Sequence, residues 1–193
     1  MNKLVLFLPV VVFAVLAFVF GRGLGLDQSV QPSNLIDKPV PAFTLADMPD
    51  LEDGETIAFT PENLEGQVTL VNVFGSWCAA CRIEHPTLLD IKKTAGIAMY
   101  GINWADTPAR GAAWLNQFGI SYHRVGNDEM GRAVIGFGVT GAPETFLVDR
   151  EGRIRYRHVG PVTPDVWEKT LAPMVEELQK KGQVGASSTD TPS

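Results

Sequence analysis

Both cysteines of this 193-residue chain fall in one stretch, Trp77-Cys78-Ala79-Ala80-Cys81, directly after an apolar run of Val68, Leu70, Val71, Val73 and Phe74. A nearly continuous apolar run of this length is the pattern of a central strand covered on both faces. Cys78 through Thr94 then reads as a helix. The spacing therefore predicts two thiols, three residues apart, at a strand-to-helix junction. There the first sulfur meets free backbone N–H groups and the positive end of the helix dipole, which favour a thiolate. Such a pair is suited to opening and closing a disulfide. Cys78, at the helix start, is the attacking thiol on this reading, and Cys81, one turn further in, resolves.

Other uses of two cysteines fit less well. Structural zinc takes four ligands, and the remaining histidines, His85, His123 and His158, form no second pair. A loop this short removes little entropy from the unfolded chain, so a purely structural bridge would contribute little. A peroxidatic cysteine in a P-x-x-x-T-x-x-C setting is excluded by Val71 and Gly75. Haem attachment through C-x-x-C-H is excluded by Arg82. No metal or other cofactor is expected.

The net charge is −6, and Lys3 and Arg22 are the only charges before Asp27, so residues 27–193 carry −8. Such an acidic domain argues against nucleic acid as a partner. Residues Leu4–Phe20 are unbroken apolar sequence, about the length that crosses a bilayer as a helix. Alternatively Val15-Leu16-Ala17 marks a signal-peptide cleavage site. The run continues past Ala17, which favours an uncleaved anchor. Lys3 on one side and Arg22 on the other leave its orientation undecided. Residues 1–21 are thus expected as anchor or signal, 22–38 as a tether, 39–181 as the folded domain and 182–193 as a disordered tail.

Within the domain, Phe43–Leu45 and Thr56–Phe59 read as short strands and Thr60-Pro61 as the cap of a short helix. Ile97–Asn103 reads as a second central strand, Thr107-Pro108 as a cap for a helix to Phe118, and Tyr122–Val125 as a strand. A short helix at Gly131–Phe137 follows. Thr145–Val148 and Arg153–Val159 form a hairpin around Asp149–Gly152, and a last helix begins at Thr163-Pro164, with a bend expected at Pro173. This order predicts an α/β domain with a central mixed sheet flanked by helices on both faces.

The order of elements, with the cysteine pair between the first central strand and its helix, resembles the thioredoxin fold. Gly141-Ala142-Pro143 stands where that fold carries a cis-proline facing the dithiol, and Pro86 stands where its first helix kinks. Four segments are similar to the CcmG/DsbE family: Trp-Cys-x-x-Cys-Arg-x-Glu-His at 77–85, Gly-Ile-Asn-Trp at 101–104, Gly-Val-Thr-Gly-Ala-Pro-Glu-Thr-Phe at 138–146 and Ile-Arg-Tyr-Arg-His at 154–158. The resemblance covers residues 35–180. It implies a thioredoxin-like oxidoreductase anchored in the inner membrane by an N-terminal transmembrane helix, with its domain in the periplasm. Its implied substrate is the haem-binding cysteine pair of apocytochrome c or a maturation thiol protein, and its implied electron donor a membrane protein of the DsbD/CcdA type. Two departures from thioredoxin itself stand out. Ala79-Ala80 replaces Gly-Pro, and Asn72 replaces a buried aspartate and cannot carry a proton.

Cys81, Glu84, Leu88, Ile91 and Ala95 share one helix face, so Glu84 falls on the stripe facing the sheet, where desolvation raises a carboxyl pKa. Glu84, coupled to Glu144 beside the cis-proline, is therefore a candidate proton relay for Cys81. Alternatively Glu84 reaches solvent, and Glu144 tunes the charge of the groove. Ala142 and Pro143 offer backbone groups to an extended substrate. Trp77 is expected to pack beside Cys78, either shielding the disulfide or simply filling the core. His85 is expected at the surface and His158 half-buried on a strand face with Ile154 and Tyr156. Arg153, Arg155 and Arg157 are expected on the opposite, solvated face. Two further functions share the motif: an oxidant that installs disulfides, and a binding module whose cysteines only hold a partner. Residue identities do not fix the direction of electron flow.

Overall fold

A computed structural model of the chain describes residues 3–23, 34–46, 48–51 and 59–187. The chain divides into two compact units, Met1–Val30 and Gln31–Ser193. The first contains helix α1 (Lys3–Gly23), with Pro9 inside it. Its side chains are described from Leu8 to Gly21. Among the described residues no helix is long and apolar enough to cross a membrane.

The second unit is a five-stranded mixed sheet in the order β3-β2-β1-β4-β5. The strands are β1 (Thr69–Phe74), β2 (Ala98–Trp104), β3 (Arg124–Asp128), β4 (Glu144–Val148) and β5 (Ile154–Val159). β1, β2 and β3 run parallel; β4 pairs antiparallel with both β1 and β5. Every residue of β1 is buried, as its unbroken apolar run requires. Leu70 and Phe74 face helices α2 (Ala79–Thr94) and α3 (Pro108–Phe118) and the C-terminal helix. Val71 and Val73 face Phe59, Leu64, Phe137 and the N-terminal segment at Val40 and Leu45. This is the thioredoxin-like α/β layering.

Local chemistry sets the ends of the elements. Thr107 Oγ1 accepts from Arg110 N–H at 3.3 Å and Pro108 opens α3. Thr60 and Asn63 form a capping box over a 3-10 turn, Pro61–Leu64. Helix α4 (Arg132–Gly136) is short and starts from Gly131 in the left-handed region, φ 71°. The C-terminal helix comprises α5 (Pro164–Val166), a π-helical turn (Trp167–Leu171) and α6 (Ala172–Ser187). Ala172 N–H donates to Trp167 C=O, five residues back. The register change falls just before Pro173, whose ring and missing N–H disrupt the ordinary four-residue ladder.

Several expectations are corrected. Phe43–Leu45 is not a strand: Pro39 and Pro41 interrupt the donors, and backbone pairing reduces to isolated bridges at Pro39↔Arg153 and Ala46↔Asn127. The segment is held by side chains instead. A Cβ at Gly126 would lie 2.5 Å from Leu45 Cβ, so β3 lets Leu45 in only because that position is glycine. Of the other expected strand, residues 56–58 lie outside the described residues, and Phe59 is core. β3 starts at Arg124, two residues later than the apolar signal at Tyr122 suggests. The expected tether is partly domain: Leu35 and Ile36 pack on the core, and Asp37 N–H donates to Ile154 C=O at 2.8 Å. At the other end α6 extends to Ser187, past the expected start of the tail, and residues 188–193 lie outside the described residues.

The hairpin holds the most consequential difference. Leu147 pairs with Tyr156 but Val148 pairs with Ile154, so Arg155 is an extra residue in β5. A one-residue bulge reverses the alternation. Ile154 therefore joins the cluster containing Val148, while Tyr156 packs on the opposite side of the sheet.

Candidate functional site

The site is built where β1 ends. Cys78 N–H donates to Gly75 C=O at 3.0 Å, closing a turn, and Cys78 is the N-cap of α2. Cys78 and Cys81 form a disulfide with Cα atoms 5.3 Å apart. Cys81 N–H donates to Cys78 Sγ at 3.0 Å, a contact that lowers the energy of a thiolate there once the bridge opens. Cys78 is the outer of the pair, 5% exposed against 1% for Cys81. The Ala142–Pro143 peptide is cis, and the Ala142 carbonyl oxygen lies 3.4 Å from Cys78 Sγ.

Trp77 is a surface residue at the rim rather than core. It is 47% exposed, its indole Nε1–H donates to Trp104 C=O at 3.0 Å, and the two rings meet edge to face at 5.7 Å. Trp77, Cys78, Arg82, Ile83, Trp114 and Phe118 line a groove of about 660 Å³. Arg82 stacks its guanidinium over Phe118 at 4.3 Å, which holds a cation beside apolar surface at the entrance.

One turn below Cys81, Glu84 points inward and is 1% exposed. Oε1 accepts from Asn72 Nδ2 at 3.0 Å and Oε2 from Val162 N–H at 2.8 Å. Burial raises its pKa to about 7, and these two hydrogen bonds only partly oppose the rise. Asn72 is a junction. Its amide also donates to Thr145 Oγ1 at 3.0 Å, and its Oδ1 accepts from the Tyr122 hydroxyl. Tyr122 is fully buried, so desolvation, reinforced by the Glu84 charge, pushes its pKa well above the ordinary value. Asn72 carries no titratable proton but fixes the carboxyl that does.

Glu144 does not join this network. In the β1–β4 register Thr145 lies opposite Asn72 and Glu144 opposite Val73, so Glu144 projects from the other face of the sheet. Its Oε2 accepts from Arg157 Nε at 2.8 Å and its Oε1 from Arg157 Nη2 at 2.9 Å. Oε1 also accepts from Thr140 N–H and Oγ1–H, both 2.8 Å, and from Gly141 N–H at 3.2 Å. The expected coupling to Glu84 is thereby corrected: Glu144 clamps the loop that leads into Ala142-Pro143. Arg157 is corrected with it, being 6% exposed rather than solvated. Arg153 is exposed, and Arg155 pairs with Asp37 at 2.8 Å and Asp149 at 3.6 Å.

The two histidines near the site are both buried. His85, expected at the surface, is 3% exposed: its ring meets Trp114 edge to face at 4.6 Å and Nε2 contacts Gly119 C=O at 2.7 Å. Burial lowers its pKa, partly opposed by that carbonyl. Pro86, the next residue, sits inside α2 and is exposed, while the His85 ring turns toward α3. His158 is likewise buried, with Nε2 3.3 Å from Pro161 C=O. Among the described residues, no cluster of three or more His, Cys, Asp or Glu is placed to hold a metal ion.

The sequence profile of the redoxin family matches residues 36–174. The thiol:disulfide interchange protein DsbE of Pseudomonas aeruginosa is 42% identical over 178 residues, covering 92% of this chain and 96% of its own. DsbE of Allochromatium vinosum is 43% identical over 172 residues, covering 89% and 93%. The chain belongs to the DsbE family of thiol:disulfide interchange proteins. Its fold matches a crystal structure of a thioredoxin-family thiol:disulfide interchange protein from Chlorobium tepidum with a TM-score of 0.56 at 24% identity, covering 77% and 99% of the two chains. With its disulfide at the opening of α2, this DsbE-family chain is a thiol–disulfide oxidoreductase.

Sequence reasoning brought Trp77, Cys78, Cys81, Ala142 and Pro143 to one place. It missed Arg157 as the partner of Glu144, and Tyr122 and Thr145 as partners of Asn72, the amide that donates to Glu84. The register of the hairpin carried the signal for Arg157. Arg157 pairs with Phe146, two residues from Glu144 on the same face, and only the bulge at Arg155 hides this from simple alternation.

Two outcomes are expected in this DsbE-family domain. Arg157→Ala leaves Glu144 buried without its cation and destabilises the fold by about 3–5 kcal/mol, measured by denaturant unfolding. Glu84 has a folded pKa of about 7 against an ordinary 4.5. Between those values the folded state binds more protons at Glu84 than the unfolded chain does. Its contribution to stability therefore falls as pH rises through that window, by about 3 kcal/mol in all. In Glu84→Gln that part of the pH dependence is absent, so subtracting the two stability–pH curves isolates it.

Proposed function

We propose that this chain is a membrane-anchored extracytoplasmic reductant. Its substrate is the disulfide formed by the haem-binding cysteines of apocytochrome c, or that of a thiol protein acting with them in cytochrome c maturation. The observation that carries the reading is the alignment of three groups along α2: Cys78 at its N-terminus against the Ala142 carbonyl, Cys81 behind it, and Glu84, poised near neutral pH, one turn deeper. The family resemblance of residues 77–85 and 138–158 supports the cytochrome c role. The apolar run Leu4–Phe20 supports the anchor, and helix α1 exposes its large apolar side chains from Leu8 to Phe20 at 49–74%. The domain then lies in the periplasm, where a disulfide-bearing substrate is met.

In the proposed reaction the dithiol form acts. The Cys78 thiolate, supported by the Cys81 N–H and the helix terminus, attacks one sulfur of the substrate disulfide. The S–S bond breaks, one substrate sulfur leaves as thiolate, and a mixed disulfide forms. Cys81 then passes its proton to the Glu84 carboxylate and attacks Cys78 Sγ. The second substrate sulfur leaves, and two electrons have moved to the substrate while Cys78 and Cys81 close their disulfide. A membrane thiol donor of the DsbD/CcdA type reverses these steps on the protein. The substrate segment lies extended along Ala142-Pro143, with Trp77 covering its side. Glu144 acts through the loop it clamps.

Trapping tests the reading. Cys81→Ser is expected to accumulate mixed disulfides through Cys78 with haem-binding-motif proteins or their thiol partners; capture of none would sink the substrate assignment. Glu84→Gln is expected to slow resolution at neutral pH by about 100-fold, within the range of lost general-base assistance, and to abolish the inflection near pH 7. An unchanged pH profile removes Glu84 from the mechanism. A reduction potential near −270 mV marks a thioredoxin-like reductant, and one near −120 mV the oxidant reading instead.

A further inference from the structure

The turn that delivers Cys78 is gripped from outside the dithiol. Its two central residues are Ser76 and Trp77, and both are held by the corner that follows β2, Trp104-Ala105-Asp106. Asp106 Oδ2 accepts from Ser76 N–H at 2.8 Å, and the Trp104 carbonyl accepts from the Trp77 indole at 3.0 Å. The Asp106 side chain is 0% exposed. Its Oδ1 accepts from Thr107 N–H at 3.0 Å and meets Arg110 Nε at 3.5 Å. The shape of the corner is imposed. Ala105 has φ 50°, in the left-handed region disfavoured for any residue with a Cβ. Its N–H donates to Asp128 C=O at 3.2 Å, which ties it to the end of β3. Gly75 completes the grip, since a Cβ there would lie 2.5 Å from Trp77 Nε1 and 3.0 Å from the Trp104 carbonyl oxygen.

We propose that Asp106 is a positioning residue for the dithiol, holding the Gly75–Cys78 turn in place through Ser76 so that Cys78 stays aligned with Cys81 when the disulfide opens. None of the gripping bonds uses a sulfur atom, so reduction leaves them intact. A turn already ordered loses less conformational freedom when the ring closes, which raises the effective concentration of one thiol at the other. Closure is favoured, and the dithiol is the stronger reductant. A side chain that served only to cap α3 would shift stability equally in both redox states and leave the dithiol–disulfide equilibrium where it was. The proposal rests on the chain's thiol–disulfide exchange and says which group outside the two cysteines sets its position.

The test is redox equilibration of the full-length chain with reduced and oxidised glutathione, read by alkylation of free thiols, with thermal unfolding of each oxidised variant alongside. Asp106→Ala is expected to move the equilibrium constant about tenfold toward the dithiol, equivalent to about 30 mV in the oxidising direction. Asp106→Asn keeps an oxygen for Ser76 N–H and is expected within about threefold of the parent. Trp77→Phe removes the indole donor to the Trp104 carbonyl while keeping a smaller aromatic ring at this exposed site, and is expected to shift about threefold in the same direction as Asp106→Ala. A constant within twofold of the parent for folded Asp106→Ala overturns the proposal. So does Asp106→Asn matching Asp106→Ala, since charge and not the turn would then be at work. Should Asp106→Ala fail to fold, Trp77→Phe decides, and no shift there overturns it. A parent chain that does not equilibrate with glutathione at all defeats the oxidoreductase reading itself, a result separate from any difference among the variants.

Discussion

Everything at the site hangs from β1. A strand buried on both faces and bonded on both edges has nowhere to move: β2 holds one side and β4 the other. Its last residue, Phe74, stacks on Tyr122 at 5.0 Å, and the chain leaves it directly into the Cys78 turn. Because β4 is antiparallel to β1, its first residues lie beside the end of β1. Two segments more than sixty residues apart in sequence, the cysteine turn and Ala142-Pro143, therefore meet by strand pairing alone. The disulfide is positioned by main-chain hydrogen bonds before any side chain at the site contributes.

The sheet then separates two buried carboxylates that differ in kind. Glu144 is satisfied by a guanidinium and three loop donors, a geometry that fixes the loop. Glu84 on the other face accepts hydrogen bonds from two neutral groups, the Asn72 amide and the Val162 N–H. Desolvation consequently dominates, and the group titrates near neutrality. One sheet thus carries an arginine-paired acid that shapes the groove and a switchable one behind the resolving thiol. Swapping their environments would swap their uses.

Much of this was readable from residue order. The apolar run of β1, the cysteine pair at a helix start, the proline-opened caps at Thr107 and Thr163 and the helical stripe through Cys81, Glu84, Leu88 and Ile91 are local patterns, and each led to the element it implied. Errors came where a local pattern met a long-range partner. Phe43–Leu45 has strand composition, but the chain leading into it lacks donors at Pro39 and Pro41 and pairs only through isolated bridges. His85 neighbours an exposed Pro86, yet it turns toward Trp114. The Arg153, Arg155 and Arg157 alternation would have pointed all three outward had Arg155 not been an inserted residue.

From its linear order alone this chain determined that two sulfurs meet at a helix terminus, that a glutamate follows them on the inner face, and that a central strand precedes them. Those features depend on spacing within a few residues, which backbone geometry converts directly into position. Tertiary structure alone decided which buried acid would be paired with a cation and which held by neutral donors. That choice depends on whether Arg157 or Asn72 stands opposite, and a single bulge sets the side of the sheet to which an arginine belongs.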